Sequence, residues 1–522
     1  MLFSSPQFIF GFLPAALAAF LIVGRYLGPR SATATLVAAS LIFYVYWRVD
    51  DLILLCGSIF ANFVFGAAIR DSIERHKRRS RILLIIGIVF NLGLIAVFKY
   101  SGLFAATINV MAGTRFPVPE FALPLGISFF TFTQITFLVD VYRGLTFERS
   151  PLRYALFVTF FPHLIAGPIL HQGAMSPQFQ RDHFGRPHLE DFSLGIFFFT
   201  VGLFKKIIFA DSMGTFANPV FGAAAGGGAL TFWEAWSGVL AYTMQIYFDF
   251  SGYSDMAIGL GLMFGVRLPV NFNSPYRAVN IVEFWKRWHM TLSAFLRDYL
   301  YVPLGGNRYG TIMRYRNLLI TMLLGGLWHG ANWTFVLWGA MHGVLICINH
   351  AWRRLNIRAF DFIPVAVRRE AARLITFLAV VVCWVPFRAE SLDSSLKLWR
   401  IMSGWDGIPV PAMLASLIGV SSSSMFGNGL LDTGNMWLFE IAGFTDSTVA
   451  CIAGLAALYV ICTVGPNTQT LARYDDSPEA KPLFPSNFVF RSPIAAGAAI
   501  ALSFWLCIFA FTRPTQFLYF NF

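Results

Sequence analysis

Charge is what this 522-residue chain has least of: Asp, Glu, Lys and Arg make up 13% of it, against 57% apolar residues. A soluble globule of that length needs far more charge to cover its surface, so the composition indicates an integral membrane protein. Cysteine is scarce and unpatterned. Cys56, Cys347, Cys383, Cys451, Cys462 and Cys507 all fall in apolar stretches with neither CxxC nor metal-ligand spacing, which argues against a disulfide framework or a zinc site and for packing roles. Fixed-period repeats, low-complexity tracts and a separate polar domain are also missing, so residues 1–522 read as a single membrane-embedded domain.

What is present is apolar sequence of hydrocarbon length. Such runs recur at Phe8–Leu27, Asp51–Ile69, Ile82–Phe98, Leu123–Val141, Phe192–Phe209, Leu318–Leu327, Phe335–Ile348, Leu374–Pro386, Val449–Val464 and Ile494–Phe511. With shorter and broken segments they predict an all-α polytopic fold of roughly eleven to thirteen membrane or re-entrant helices. Arg25 follows the first run and no basic residue precedes it, the reverse of a cleaved secretory signal, so this run reads as a retained helix. Pro and Gly interrupt FPHLIAGPILH (Phe161–His171) and LPLGISFF (Leu123–Phe130). Bent backbone at membrane depth needs protein or a water-filled cavity to satisfy it, so a funnel or cavity is expected in this half of the fold.

The net charge of +12 invites a nucleic-acid reading, but in a membrane protein basic residues first report topology. The loop Arg70–Arg81 (RDSIERHKRRSR) and the turn with Arg25 and Arg30 are assigned to the cytoplasm, which leaves the N-terminus outside. The net-positive stretch Glu283–Arg316 is assigned to the cytoplasm as well. If Leu471–Arg491 is also cytoplasmic, the last helix delivers the C-terminal peptide, residues 512–522, to the periplasmic side. Val282–Leu300, which mixes Lys286, Arg287, Arg297 and Asp298 with Phe284, Trp285, Trp288 and Tyr299, suits a helix lying in the membrane interface. Lys205 and Lys206 are expected to snorkel to an interface.

His329 is the residue most in need of explanation, because an imidazole in a hydrocarbon segment is costly to keep and chemically useful. Fifteen residues at 1.5 Å each put it about 22 Å beyond Arg314, deep behind a positive mouth. Such a histidine suits general acid-base chemistry on an anionic cytosolic donor, and Lys286, Arg287, Arg297 and Arg314 are candidates for the donor's phosphates. His289 is a second candidate, although an interfacial histidine beside Trp is ordinary. His163 and His171, which flank the Pro-containing bend, read as structural. Asp249 and Asp255 lie six apart and do not share a helical face, so they read as capping groups around a helix break. A proton relay in a transporter is the rival explanation of His329.

FPHLIAGPIL (Phe161–Leu170), DFSGYSDMAIGLGLMFG (Asp249–Gly265), EFWKRWHMTLSAFLRDYLYVPLGGNR (Glu283–Arg308) and NLLITMLLGGLWHGAN (Asn317–Asn332) resemble the membrane-bound O-acyltransferases. The likeness runs along the whole chain, is strongest over residues 120–345, and is nearest to the bacterial branch that O-acetylates polysaccharide. It implies helices ringed around a thinned centre with a cytoplasmic funnel, catalytic roles for His329 and His289, and acetyl-CoA as donor substrate with no permanently bound cofactor. It also implies a bacterial inner-membrane location among membrane lipid, and partners in a periplasmic serine esterase-like acetyltransferase and an exopolysaccharide synthesis and secretion complex. An acyltransferase acting on lipid or protein is the alternative. The closing FLYFNF resembles an aromatic C-terminal motif of that branch, whose tyrosine corresponds to Tyr519 as an acyl-relay candidate; the residue-level alternative is an aromatic anchor.

Overall fold

The computed structural model describes residues 1–119, 121–355, 362–408, 447–474, 493–511 and 518. Helices account for its regular structure, with no strand among the described residues. Six helices are long and apolar enough to cross a membrane: Gln7–Tyr26, Asp50–Ile73, Lys77–Ala112, Leu189–Ala225, Trp333–Leu355 and Val365–Arg388. Shorter apolar helices span Ile127–Tyr142, Val449–Thr463 and Gly497–Ala510. Two long helices are absent from the hydropathic reading. Pro29–Val45 starts on a proline after Gly28, whose φ of 83° turns the chain, and its apolar residues are diluted by Ser and Thr. Phe232–Met263 is continuous through SGYS, so the break expected around Asp249 and Asp255 does not exist.

The chain packs as two units. The first comprises Met1–Leu203, Gly252–Asn271 and Thr468–Pro514; the second comprises Phe204–Ser251, Phe272–Asn467 and Thr515–Phe522. An aromatic cluster of Phe3, Phe8, Phe12, Phe43 and Phe161 fills part of the first unit's core. Polar groups also fasten its helices. The carboxamides of Asn62 and Asn91 exchange hydrogen bonds of 3.1 and 2.6 Å between Asp50–Ile73 and Lys77–Ile95, and both side chains are fully buried. Lipid supplies no hydrophobic drive between helices, so such pairs and close small-residue contacts do the joining.

In the second unit, Gly310–His329 and Trp333–Leu355 pack most extensively. Their glycines explain it. A Cβ on Gly326 would lie 2.3 Å from the Phe335 carbonyl oxygen, and one on Gly339 would lie 2.3 Å from that of Met322. Both obstacles are backbone, which cannot rotate away. Gly326→Ala is therefore expected to cost about 1–3 kcal/mol, as overpacking does. A thermal unfolding midpoint equal to that of the parent protein in detergent would remove this crossing as a constraint.

Candidate active site

His329 is the last residue of an unbroken helix, Gly310–His329, so the rise of about 22 Å from Arg314 holds. The helix stops because Gly330 turns to φ −164° and ψ 152°. A Cβ there would fall 2.1 Å from the Phe335 ring, so the ring can close against the turn only where a side chain is missing. Asn332 fixes the return: its Oδ1 accepts the Thr334 N–H at 3.1 Å and its Nδ2 donates to the Glu390 carbonyl at 2.9 Å. His329 is 4% exposed and lies among aromatic rings, with centroids of Trp328, Trp338 and Phe387 at 4.9, 5.0 and 5.2 Å.

His289 occupies a different environment from the one its sequence neighbours suggest. The expected interfacial helix over Val282–Leu300 is instead two short helices, Ile281–Trp285 and Met290–Phe295, followed by a π-helical turn over Leu296–Tyr301. Asn280 caps the first, accepting the Glu283 N–H at 2.9 Å, while Glu283 Oε2 accepts the Val279 N–H at 3.1 Å. The chain then reverses through His289 at φ 43°, a left-handed conformation that histidine tolerates better than most residues. Burial of Phe284, Trp285 and Trp288 outweighs an interfacial placement, and His289 itself is 0% exposed. Its ring lies 4.8 Å from Phe250 and 6.2 Å from Trp328. The Trp328 indole is thus flanked by both candidate histidines.

A third imidazole, His342, escaped the sequence reading. It is fully buried on the helix Trp333–Leu355, with Trp338 at 4.9 Å and Trp285 at 5.1 Å. Trp285 Nε1–H donates to His342 Nδ1 at 3.3 Å, so the neutral ring carries its proton on Nε2, which has no hydrogen-bond partner among the described residues. The signal was available: His342, like His329, is an imidazole followed by Gly inside an apolar run. Trp338 contacts both rings, so the two share one aromatic wall.

Lys206 does not snorkel. A π-helical segment, Lys205–Ala210, precedes the helix Asp211–Ala225, and Lys206 is 2% exposed with its Nζ 2.6 Å from Asp211 Oδ1 and 2.7 Å from Asp249 Oδ1. Burying an ammonium costs several kcal/mol, and two carboxylates within ion-pair distance offset that cost. The other oxygen of Asp249 accepts the backbone N–H of Leu518 at 3.1 Å. Asp249 is therefore a buried anchor for the residue that precedes Tyr519, which itself lies outside the described residues. Asp255 serves elsewhere, accepting the Thr468 hydroxyl at 2.6 Å.

The basic candidates divide. Lys286 is exposed. Arg287 pairs with Glu283 at 2.8 Å, and Arg297 with Asp298 at 2.7 Å. Arg314 donates to His350 Nδ1 at 2.5 Å, a neutral partner. His163 Nε2 lies 2.9 Å from the Phe157 carbonyl, and His171 Nδ1 lies 3.3 Å from Asp140 Oδ2 on the helix Ile127–Tyr142.

Comparison with known proteins adds to this geometry. Residues 148–369 match the membrane-bound O-acyltransferase family. The chain is 42% identical to a peptidoglycan O-acetyltransferase of Helicobacter pylori over 78% of its own length and 81% of that protein. It is 44% identical to a probable alginate O-acetylase, AlgI, of Azotobacter vinelandii over 77% and 78% of the two chains. A teichoic acid D-alanyltransferase of Streptococcus thermophilus is 29% identical over 44% of this chain and 57% of its own. With two relatives this similar over most of both chains, and with His289, His329 and His342 buried in a helical, multi-pass body, the protein belongs to the membrane-bound O-acyltransferase family and is an O-acyltransferase.

Proposed function

We propose that this enzyme O-acetylates an extracellular polysaccharide, taking acetyl from cytosolic acetyl-CoA and passing it across a bacterial inner membrane. Relatives named for the acetylation of alginate and of peptidoglycan support the acceptor class. Membership in an enzyme family supports acyl transfer over a transporter's proton relay as the role of His329. Both termini are assigned to the periplasm, where a serine esterase-like acetyltransferase and the polymer's synthesis and secretion complex would receive the acetyl group.

In the proposed step, the Tyr519 hydroxyl attacks the thioester carbonyl. The new C–O bond forms as His329 takes the phenolic proton, and the C–S bond breaks as that proton returns to the departing thiolate. Products are an acetyl-tyrosine ester and free coenzyme A. His289, fixed by its reversed backbone, orients the reacting groups across Trp328. Lys286, Arg287, Arg297 and Arg314 are assigned to the donor's phosphates. An aryl ester is more activated than an alkyl ester, which suits onward transfer to a sugar hydroxyl. The observation that carries this reading is the Leu518 N–H donated to Asp249, because it ties the residue before Tyr519 into the unit that holds His289 and His329.

Purified enzyme incubated with acetyl-labelled acetyl-CoA is expected to carry label on its C-terminal peptide. His329→Ala should slow that labelling by about 10²–10⁴-fold, the usual worth of a general acid-base group. Tyr519→Phe should abolish it. Full labelling in His329→Ala would end the assignment of the base, and label retained in Tyr519→Phe would move the carrier elsewhere.

The Asp249 anchor is tested separately. Lys206→Met leaves two buried carboxylates facing each other and is expected to destabilise the protein by about 3–5 kcal/mol. Asp249→Leu should speed carboxypeptidase release of the terminal residues, read by mass spectrometry, whereas Asp249→Asn keeps an acceptor for Leu518 and should preserve protection. Equal release from Asp249→Leu and the parent would show that the terminus is held by other contacts.

A further inference from the structure

The first unit, which contains neither His289 nor His329, has a cavity of about 450 Å³ whose lining includes Arg70, Thr146, Glu148, Arg149, Arg153 and Gln180. It forms where the helices Asp50–Ile73 and Ile127–Tyr142 end and Pro151–Thr159 begins. Three guanidinium groups face one carboxylate there, an excess of two positive charges. Two of the guanidiniums are held in place. Arg70 Cζ lies 4.2 Å from the Phe147 ring centroid, a cation–π contact, and Arg153 Nη2 lies 2.8 Å from Glu148 Oε1.

Glu148 is only 2% exposed, and its hydrogen bonds explain why it is there. It accepts the Ser150 N–H at 2.9 Å, the Ser176 hydroxyl, and Gln180 Nε2 at 3.4 Å. Burial opposes its ionisation, but the bonds from Arg153, Ser176 and the Ser150 amide outweigh that and hold its carboxyl below the usual range. Glu148 is therefore a fixed counter-charge that orients Arg153, and its negative charge is consumed locally. What remains at the cavity is the positive charge of Arg70 and Arg149, because the Thr146 hydroxyl is donated to Gln172 and the Gln180 carboxamide to Glu148 and Ser176.

We propose that this cavity binds a phosphate group. The forked guanidinium donors of Arg70 and Arg149 match the oxygens of a tetrahedral oxyanion, and the excess positive charge of the lining favours a dianion. The volume admits more than the phosphate itself, so the ligand is a phosphate ester. Arg70 belongs to the basic stretch Arg70–Arg81, the ends of two helices and the turn between them, which the charge asymmetry assigns to the cytoplasm, where two esters are available: the headgroup of an anionic phospholipid and a soluble nucleotide.

The full chain purified in detergent should retain phosphatidylglycerol over phosphatidylethanolamine in native mass spectrometry if the source is lipid. If it is soluble, 3′,5′-ADP should raise the unfolding midpoint. In Arg70→Gln/Arg149→Gln, which leaves the Glu148–Arg153 pair intact, affinity for whichever probe binds should fall about tenfold or more. Arg149→Glu, a change at an exposed position, serves where the double variant folds poorly and should lose binding as well. Binding that is equal in parent and variants, or no binding of either probe, would overturn the proposal.

Discussion

The position of His329 depends on how closely two helices cross at Gly326 and Gly339. In lipid, no hydrophobic gain separates a tight crossing from a loose one, so the attraction comes from backbone surfaces meeting without side chains between them. Here the carbonyls of Phe335 and Met322 fill the space that each missing Cβ would need. His329 follows Gly326 by three residues and Trp338 precedes Gly339 by one, so the same crossing brings their rings to 5.0 Å. Gly330 then completes the arrangement by letting Phe335 close over the helix end. Three glycines thus set an aromatic enclosure around one imidazole, and at Gly326 and Gly339 the obstacle to a side chain is backbone.

Buried charge is the second constraint, and the chain meets it through pairing. Lys206, Asp211 and Asp249 are grouped so that no ion faces an apolar neighbour alone, and the π-helical segment Lys205–Ala210 is the local irregularity that accompanies this. π-turns carry a cost in regular hydrogen bonding and occur often at functional positions. The grouping also leaves one oxygen of Asp249 for a backbone amide 269 residues away. A residue at 249 with no acceptor would lose the Leu518 amide, and a carboxylate there without Lys206 would lack its counter-charge.

His329 was legible in the sequence because its evidence is local: an imidazole in an apolar run, at countable distance from arginines. The helical class was legible for the same reason, since hydrocarbon-length runs need no knowledge of their neighbours. His289 was half legible. Its aromatic and basic surroundings scan as interfacial, and only the reversal at φ 43° turns Trp288 and His289 inward. Asp249 and Lys206 were misread because their explanation is mutual and they lie 43 positions apart; each taken alone has an ordinary surface interpretation. His342 carried the same signal as His329, down to a basic pair, Arg353 and Arg354, at the end of its own helix.

Basic residues in such a protein are counted for topology, yet topology constrains their number on each side and leaves their partners free. An arginine beside a carboxylate presents a dipole to its surroundings, whose field falls faster with distance than that of a charge. Arg287 and Arg297 are in that condition, through Glu283 and Asp298. Arg314 keeps its full charge, because His350 engages it through a neutral ring nitrogen, as does Arg316, which is held by the Asn317 carboxamide. On the proposed reading, long-range attraction for an anionic donor would rest on Lys286, Arg314 and Arg316, while Arg287 and Arg297 would contribute only where a phosphate comes close enough to compete for their donors. The same division holds around Glu148, where Arg153 is satisfied and Arg70 and Arg149 keep their charge. Pairing, which the sequence does not display, decides which members of a positive loop act on solutes and which only hold the fold.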